Sequence, residues 1–132
     1  MNGHIVVDGL LKAAVGLTAL VVDRIYPDVM PDSPIYPSVT YQKLSGSSER
    51  GATIDPSLMT ASFQVSCWAK SRAQASKITA QARKAIDRKR KITVGGVTVD
   101  DCFYESDVDM FDPDTRTYFN HTTFEIHYRD AT

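Results

Sequence analysis

The spacing of apolar and polar positions changes several times along this chain, and each change marks an element. From about Gly3 to Ala14, residues Ile5, Leu10, Leu11, Ala14 and Val15 give one broad apolar side, which predicts a first helix. Gly16 is the expected stop, because glycine accepts the left-handed conformation that ends helices. Leu17 to Val21 adds a short helical turn before Arg24-Ile-Tyr26. Pro27, Pro31, Pro34 and Pro37 then predict an extended, irregular surface segment, since proline lacks an amide proton and restricts the residue before it.

Alternation takes over at Ser38 to Leu44, where Val39 and Tyr41 oppose Thr40 and Gln42, the pattern of a half-buried strand. Ser45 to Ser57 is polar and reads as a long loop, a length associated with function or disorder. Met59 to Ala69 alternates again, with Ala61, Phe63, Val65 and Cys67 on one face and Thr60, Ser62, Gln64, Ser66 and Trp68 on the other. Ser71 with Gln74 three residues on forms a capping box, and Ala75, Ile78, Ala82, Ala85 and Ile86 recur at helical spacing behind it. Lys91 to Val94, Gly95-Gly96 and Val97 to Tyr104 predict a hairpin with a glycine turn. A last strand, Tyr118 to Tyr128, places Tyr118, Thr122, Phe124, Ile126 and Tyr128 on one face, and Asp112-Pro-Asp-Thr115 before it has turn chemistry.

This order predicts an α+β fold over residues 1–132 as a single domain: one mainly antiparallel sheet, two helices packed on one face, and a long C-terminal β-hairpin. Trp68 is expected to plug an edge of the core, so that Trp68→Ala abolishes soluble expression.

Composition narrows function mainly by exclusion. Net charge is −1, so bulk charge points to neither nucleic acid nor an anionic membrane. The apolar run Ile5 to Val22 is interrupted by Asp8, Gly9, Lys12 and Gly16, and each mid-bilayer charge would cost roughly 2.5–3.5 kcal/mol. That run also lacks the basic leader and cleavage site of a secretory signal, which implies synthesis in the cytoplasm. Cys67 and Cys102 lack C-x-x-C spacing and read as buried, reduced thiols.

Charge is distributed unevenly. Lys70, Arg72, Lys77, Arg83, Lys84, Arg88, Lys89, Arg90 and Lys91 face one acid, Asp87, within their stretch. Asp100, Asp101, Glu105, Asp107, Asp109, Asp112 and Asp114 follow with no base among them. Three readings compete: two solvated faces, a ring in which the basic edge of one subunit meets the acidic edge of the next, or a nucleic-acid module built on Arg88-Lys-Arg-Lys91. The last lacks interleaved aromatic residues for stacking bases.

No cofactor or metal site is predicted. Asp107, Asp109, Asp112 and Asp114 depart from the EF-hand pattern, with Phe111 at the third ligand position, Asp112 in place of the glycine and Tyr118 in place of the bidentate Glu. His121 and His127 share a strand face about 20 Å apart, too far to hold one metal. There is no nucleophile elbow, zinc-protease helix or phosphate-binding glycine loop, and no enzyme is predicted.

Phe63-Gln-Val-Ser-Cys-Trp-Ala69 running into Ser71-Arg-Ala-Gln-Ala-Ser-Lys-Ile78, together with Arg24-Ile-Tyr-Pro-Asp28, Pro37-Ser-Val-Thr-Tyr41 and Phe124-Glu-Ile-His-Tyr-Arg129, resembles the tail-completion proteins of long-tailed bacteriophages, in the same order from about Leu10 to Arg129. The resemblance implies a structural virion protein at the neck, a tail terminator that caps the tail tube as a ring of six and joins it to the head connector. The implied partners are further copies of itself, the tail tube protein and the head connector or stopper, with DNA passing through the lumen without specific binding. Arg24 and Asp28 look family-like and are placed near a subunit or tube interface. Arg88, Lys89, Arg90 and Lys91, with Asp107, Asp109, Asp112 and Asp114, complete the candidate interface. The basic run departs from the family pattern and is expected on an edge or outer face, away from a DNA-passing lumen.

Overall fold

Six strands form one sheet in the order β1-β2-β3-β6-β5-β4 in a computed structural model that describes residues 3–32, 34–48 and 58–129. Along the chain, α1 (Gly3–Ala13) and α2 (Val15–Val21) precede β1 (Ile25–Pro27), β2 (Ser38–Ser48) and β3 (Leu58–Ala69). Then come α3 (Arg72–Ile86), β4 (Arg90–Val94), β5 (Val97–Asp112) and β6 (Thr117–Arg129). All neighbouring strands pair antiparallel except β1 and β2, which are parallel, so the sheet is mixed.

The α+β class and the long C-terminal hairpin agree with expectation, while the count of helices does not. The apolar N-terminal run makes two helices, bent by 79° at their junction, and neither is long and apolar enough to cross a membrane. Gly16 is not the stop. Extended backbone at Ala14 (φ −80°, ψ 104°) breaks the run, and Gly16 lies inside α2. Val22, at φ 60°, ends α2 by donating its amide to the Thr18 carbonyl.

The core lies between the helices and one face of the sheet. Val6, Val7 and Leu11 of α1, Leu17 and Val21 of α2, and Ala75, Ile78, Ala82, Ala85 and Ile86 of α3 are all buried there. From the sheet, β3 contributes the predicted Ala61, Phe63, Val65 and Cys67, and β6 contributes Phe124, Ile126 and Tyr128. Phe63 and Phe124 are directly opposite in register. Each buried aromatic or branched side chain of this kind contributes about 1.5–3 kcal/mol through removal from water. Gly9 permits the close approach of α1 to β4, since a Cβ there would stand 2.4 Å from Val94 Cγ1. Tyr41 donates to Asp8 Oδ1 at 2.8 Å, fixing α1 to β2. Ser71 caps α3 as predicted, its Oγ accepting from the Gln74 amide at 3.2 Å.

Three strand boundaries differ from the sequence reading, two of them at bulges. The ladder of β2 skips Leu44, leaving it 47 % exposed, and pairing resumes through Ser45 to Ser48 where a loop was expected. The remainder of that expected loop lies outside the described residues. β5 shifts register between Val99 and Asp101 and again between Tyr104 and Ser106, and runs on to Asp112. The acidic stretch from Glu105 is therefore strand, because β6 supplies a pairing partner for its whole length. The third difference is Arg24-Ile-Tyr26, which lies largely in the short strand β1.

Trp68 lies on the sheet face away from the helices and does not plug the core. It stacks on Phe119, ring centroids 4.4 Å apart, and its Nε1 donates to Thr40 Oγ1 at 3.0 Å. The indole N–H needs a partner, and Thr40 provides one only on that face.

Candidate functional site

The candidate residues fall at the two opposite edges of the sheet. Arg24 and Asp28 flank β1 at one edge. Arg24 Nε donates to the Pro37 carbonyl at 2.9 Å, holding the start of β2 in place. Asp28, exposed at φ 63°, donates its amide to the Tyr41 carbonyl at 2.8 Å. Its side chain borders a cavity of about 240 Å³ shared with His4, Tyr41 and Lys43.

At the other edge, β4 pairs with β5 only from Val97 to Asp101, so β5 has no strand on its outer side from Cys102 onward. An open edge invites unwanted pairing, and side chains commonly guard it. Here Arg88 N–H bonds the Cys102 carbonyl at 2.8 Å, Asp87 Oδ1 accepts from the Tyr104 amide at 2.9 Å, and Arg72 Nη2 donates to the Met110 carbonyl at 2.9 Å.

The helix-side surface of this distal hairpin is polar. Asn120, 3 % exposed, donates from Nδ2 to Asp107 Oδ2 and to Asp109 Oδ1, each at 2.8 Å, and its Oδ1 accepts from Thr122 Oγ1. Tyr104 donates its phenol to Asp107. That bond first, and the Asn120 bond second, hold the Asp107 carboxyl below the usual range, while the carboxylate pushes the Tyr104 phenol up. Arg83 covers the Tyr104 ring at 3.9 Å, and Arg72 Nη1 lies 3.1 Å from Asp109 Oδ1. Between this hairpin and α3 runs a groove of about 660 Å³, with Arg83, Lys84 and Arg88 on the helix side and Asp107 and Asp109 on the strand side. On the opposite face Val108 and Met110 are 52 % and 45 % exposed, while Phe111, on the helix side against the Tyr118 ring, is 43 % exposed.

The fold thus brings much of the basic stretch and the acidic stretch together within one chain. Ion pairs join Arg72 to Asp109, Arg83 to Asp87 at 3.7 Å, and Arg90 to Asp101 at 3.1 Å. Asp107 and Asp109 are held in the hairpin network and Arg90 is paired, so these three exposed side chains have partners within the chain. Among the described residues, Lys77, Lys84, Arg88, Lys89 and Lys91 form no ion pair, and neither do Glu105, Asp112 and Asp114. Asp112 sets the β5–β6 turn, accepting from the Asp114 amide and from Thr115 Oγ1, both at 3.0 Å.

Sequence reading missed Asn120, Tyr104 and Arg72. Asn120 carried a signal: it shares strand parity with Thr122 and Phe124, and a buried amide requires partners. The thiols Cys67 and Cys102 are buried, and burial is the main cause pushing each up to about 12. Among the described residues no three His, Cys, Asp or Glu side chains are grouped to hold a metal ion.

No curated protein matches this sequence. In fold, the chain is similar to a protein in the solved virion of a native gene transfer agent particle, with a TM-score of 0.71 at 14 % identity, over 93 % of this chain and 91 % of that one. A second solved structure matches with a TM-score of 0.63 at 10 % identity, over 100 % of this chain and 99 % of its own. The model of one family, Tail completion protein gp17, matches residues 7–129, from the middle of α1 to the last residue of β6. This chain belongs to that family of tail completion proteins.

Proposed function

We propose that this protein is a structural component of the virion neck, capping the finished tail tube as a ring of six identical copies and joining it to the head connector. The observation that carries the reading is the family match across residues 7–129, the whole folded unit apart from the first turn of α1. Likeness in fold to a gene transfer agent virion protein supports the particle context. The geometry supports assembly in place of chemistry. A distal hairpin presents exposed Val108, Met110 and Phe111, apolar surface of the kind that marks contact sites.

The partners on this reading are further copies of the chain, the tail tube protein and the connector or stopper, with DNA passing through the lumen unread. The role is non-enzymatic. Arg88-Lys-Arg-Lys91 fits nucleic acid poorly, because Arg90 is tied to Asp101 and carboxylates of Asp87 and Asp101 stand within the same surface.

Electron microscopy of particles made with the gene disrupted tests the proposal. Over-long tails are expected if the protein ends tube growth, and normal-length tails beside unattached, filled heads if it serves the joint. Normal, complete virions would overturn the neck assignment.

A further inference from the structure

The two edges of the sheet are open over opposite halves of its length. β1 covers β2 only at residues 39–41, and β4 covers β5 only at residues 97–101. Cross-strand rows put Ser48, Met59, Tyr128 and Val99 at one end of the sheet, and Tyr41, Val65, Thr122 and Asp107 nearer the other. The uncovered part of β2, residues 42–48, therefore lies at the end where β4 covers β5. The uncovered part of β5 lies at the end where β1 covers β2. On both strands the helix-side residues turn their main-chain groups outward: Val39 N–H bonds the Arg24 carbonyl, and Tyr104 N–H bonds Asp87 Oδ1. Two-residue alternation extends this to Gly46 and Ser48 past the bulge in β2, and to Asp107, Asp109 and Phe111 past the bulge in β5. Open edges of this kind are commonly blunted, as β1 is: Pro27 has no amide, and its carbonyl accepts from Val29 at 2.7 Å. Residues 42–48 and 105–111 contain no proline.

We infer that the open part of β5 in one copy pairs with the open part of β2 in the next, so that the sheet runs on from subunit to subunit. The inference rests on the ring reading above and names its contact. The occupant is a second copy because each edge is the complement of the other. Three antiparallel steps separate β2 from β5, so the two strands run in opposite directions. A neighbour with its helices on the same side of the sheet therefore presents β2 antiparallel to β5. The outward main-chain groups belong to helix-side residues on both strands, so they meet with the two faces continuous. With Ser48 beside Asp107 and Gly46 beside Asp109, the neighbour's β1 lies beyond the hairpin turn and β4 lies beyond the end of the neighbour's β2. The steps in the two outlines thus mate without collision. Exposed Leu44 and Phe111 fall opposite each other in this register. The register also closes. Within one copy Asp107 shares its row with Tyr41, so placing Ser48 there shifts the neighbour by seven positions, one of them the skipped Leu44. Six residues at about 3.3 Å against four strands at about 4.8 Å give a strand tilt of roughly 45°, at the upper end of the range of about 35–45° for closed barrels. The two edges are different surfaces, so repetition by rotation makes a ring.

Disulfide trapping in assembled particles tests the register. Ser45 and Met110 fall opposite each other on the helix-free face, in a pair of the narrow kind whose Cα atoms stand about 4.5 Å apart, within disulfide reach. A Ser45→Cys, Met110→Cys chain, oxidised in particles, is expected to give a ladder of covalent multimers. A Ser45→Cys, Thr98→Cys chain, with its second thiol on the half of β5 that β4 covers, is expected to stay monomeric. The native thiols are buried and do not contribute. Monomer alone from the first chain, or equal multimers from both, would overturn the contact. Gly46→Pro is the second measurement, since it removes an outward amide without touching the ladder to β3. It is expected to leave the circular dichroism spectrum unchanged and to lower the yield of complete particles by about tenfold or more, with Gly46→Ala close to normal. Normal yield from Gly46→Pro would overturn the contact. Failure of this contact is separable from failure of the ring reading: abnormal tails without the gene, but normal tails with Gly46→Pro, remove only the contact.

Discussion

The β5–β6 hairpin passes through two regions of the molecule that share backbone and pairing but not purpose. In its proximal half the helix-side positions are Val99, Cys102, Phe124, Ile126 and Tyr128, all fully buried beneath the helices. Beyond the bulge at Glu105, the helix-side positions turn polar, with Asp107, Asp109, Asn120 and Thr122 joined by hydrogen bonds ahead of the Phe111–Tyr118 pair, and Val108 and Met110 on the other face are exposed. The ladder resumes past the bulge and continues from one regime to the other. What changes is whether the side chains secure the fold or remain available to a partner. In a chain of this size the first region supplies most of the hydrophobic stabilisation, and that frees the second to carry charge.

The sharpest way to break this comparison is to truncate one apolar ring from each region. Phe124→Ala, under the helices, is expected to cost about 3–5 kcal/mol, a large share of a typical stability of about 5–15 kcal/mol. Phe111→Ser, at the hairpin end, is expected to leave the urea midpoint nearly unchanged and to lower particle assembly. Equal destabilisation by the two changes would mean that the hairpin end is part of the core after all.

Asn120→Ala tests the distal region from within. It removes one donor shared by two carboxylates at a buried position, and is expected to cost about 1.5–3 kcal/mol in urea unfolding, the range for hydrogen bonds to charged groups. A cost below that of an ordinary surface change would show that the network is incidental, and that Asp107 and Asp109 are free to act at an interface.

The proximal region was legible in the sequence because strict alternation in β3 and β6, and the alanine stripe of α3, each fit one period and one buried face. The distal region was not, for a physical reason: a bulge moves side chains to the other face and breaks the alternation a reader follows. Glu105 does this in β5, and the skipped Leu44 does it in β2, so both strands were drawn too short. The charge runs were visible, but not their in-chain partners. Arg90 meets Asp101 because a tight turn at Gly95 and Gly96, with φ of 56° and 83°, brings β4 back onto β5. Arg72 meets Asp109 across 37 positions of sequence, a juxtaposition that only tertiary structure provides. Arg24 and Asp28, grouped with the rest by resemblance, are separated from them by the width of the sheet.

Trp68 sharpens the same contrast from the open face of the sheet. It was expected to be indispensable to the core, but it is half-buried beside Phe119 and His121. Loss of one stacked ring and one hydrogen bond predicts about 1–3 kcal/mol for Trp68→Ala, with soluble protein recovered. Failure to express would place the open face on a par with the helix-covered one.

The smallest effect is one of pH, and it separates the regions by where each titrates. Burial holds the His121 imidazole below its ordinary value, with Ser66 Oγ 2.6 Å from Nδ1. The unfolded chain therefore binds the proton more readily than the folded one. The stability this neutral ring contributes is complete above the unfolded value of about 6.5 and is lost as pH falls through the lower folded value. Asp107, held down by Tyr104 and Asn120, contributes stability that is complete above about 3.9 and is lost only as pH falls through its own depressed value. A urea series should thus show a shallow loss just below pH 6.5 that disappears in His121→Gln, and a separate loss below pH 4 that shrinks in Asp107→Asn. The first reports the open face around Trp68 and the second the hairpin network. A single acid transition unaffected by either change would mean that neither region carries the electrostatic load its geometry assigns to it.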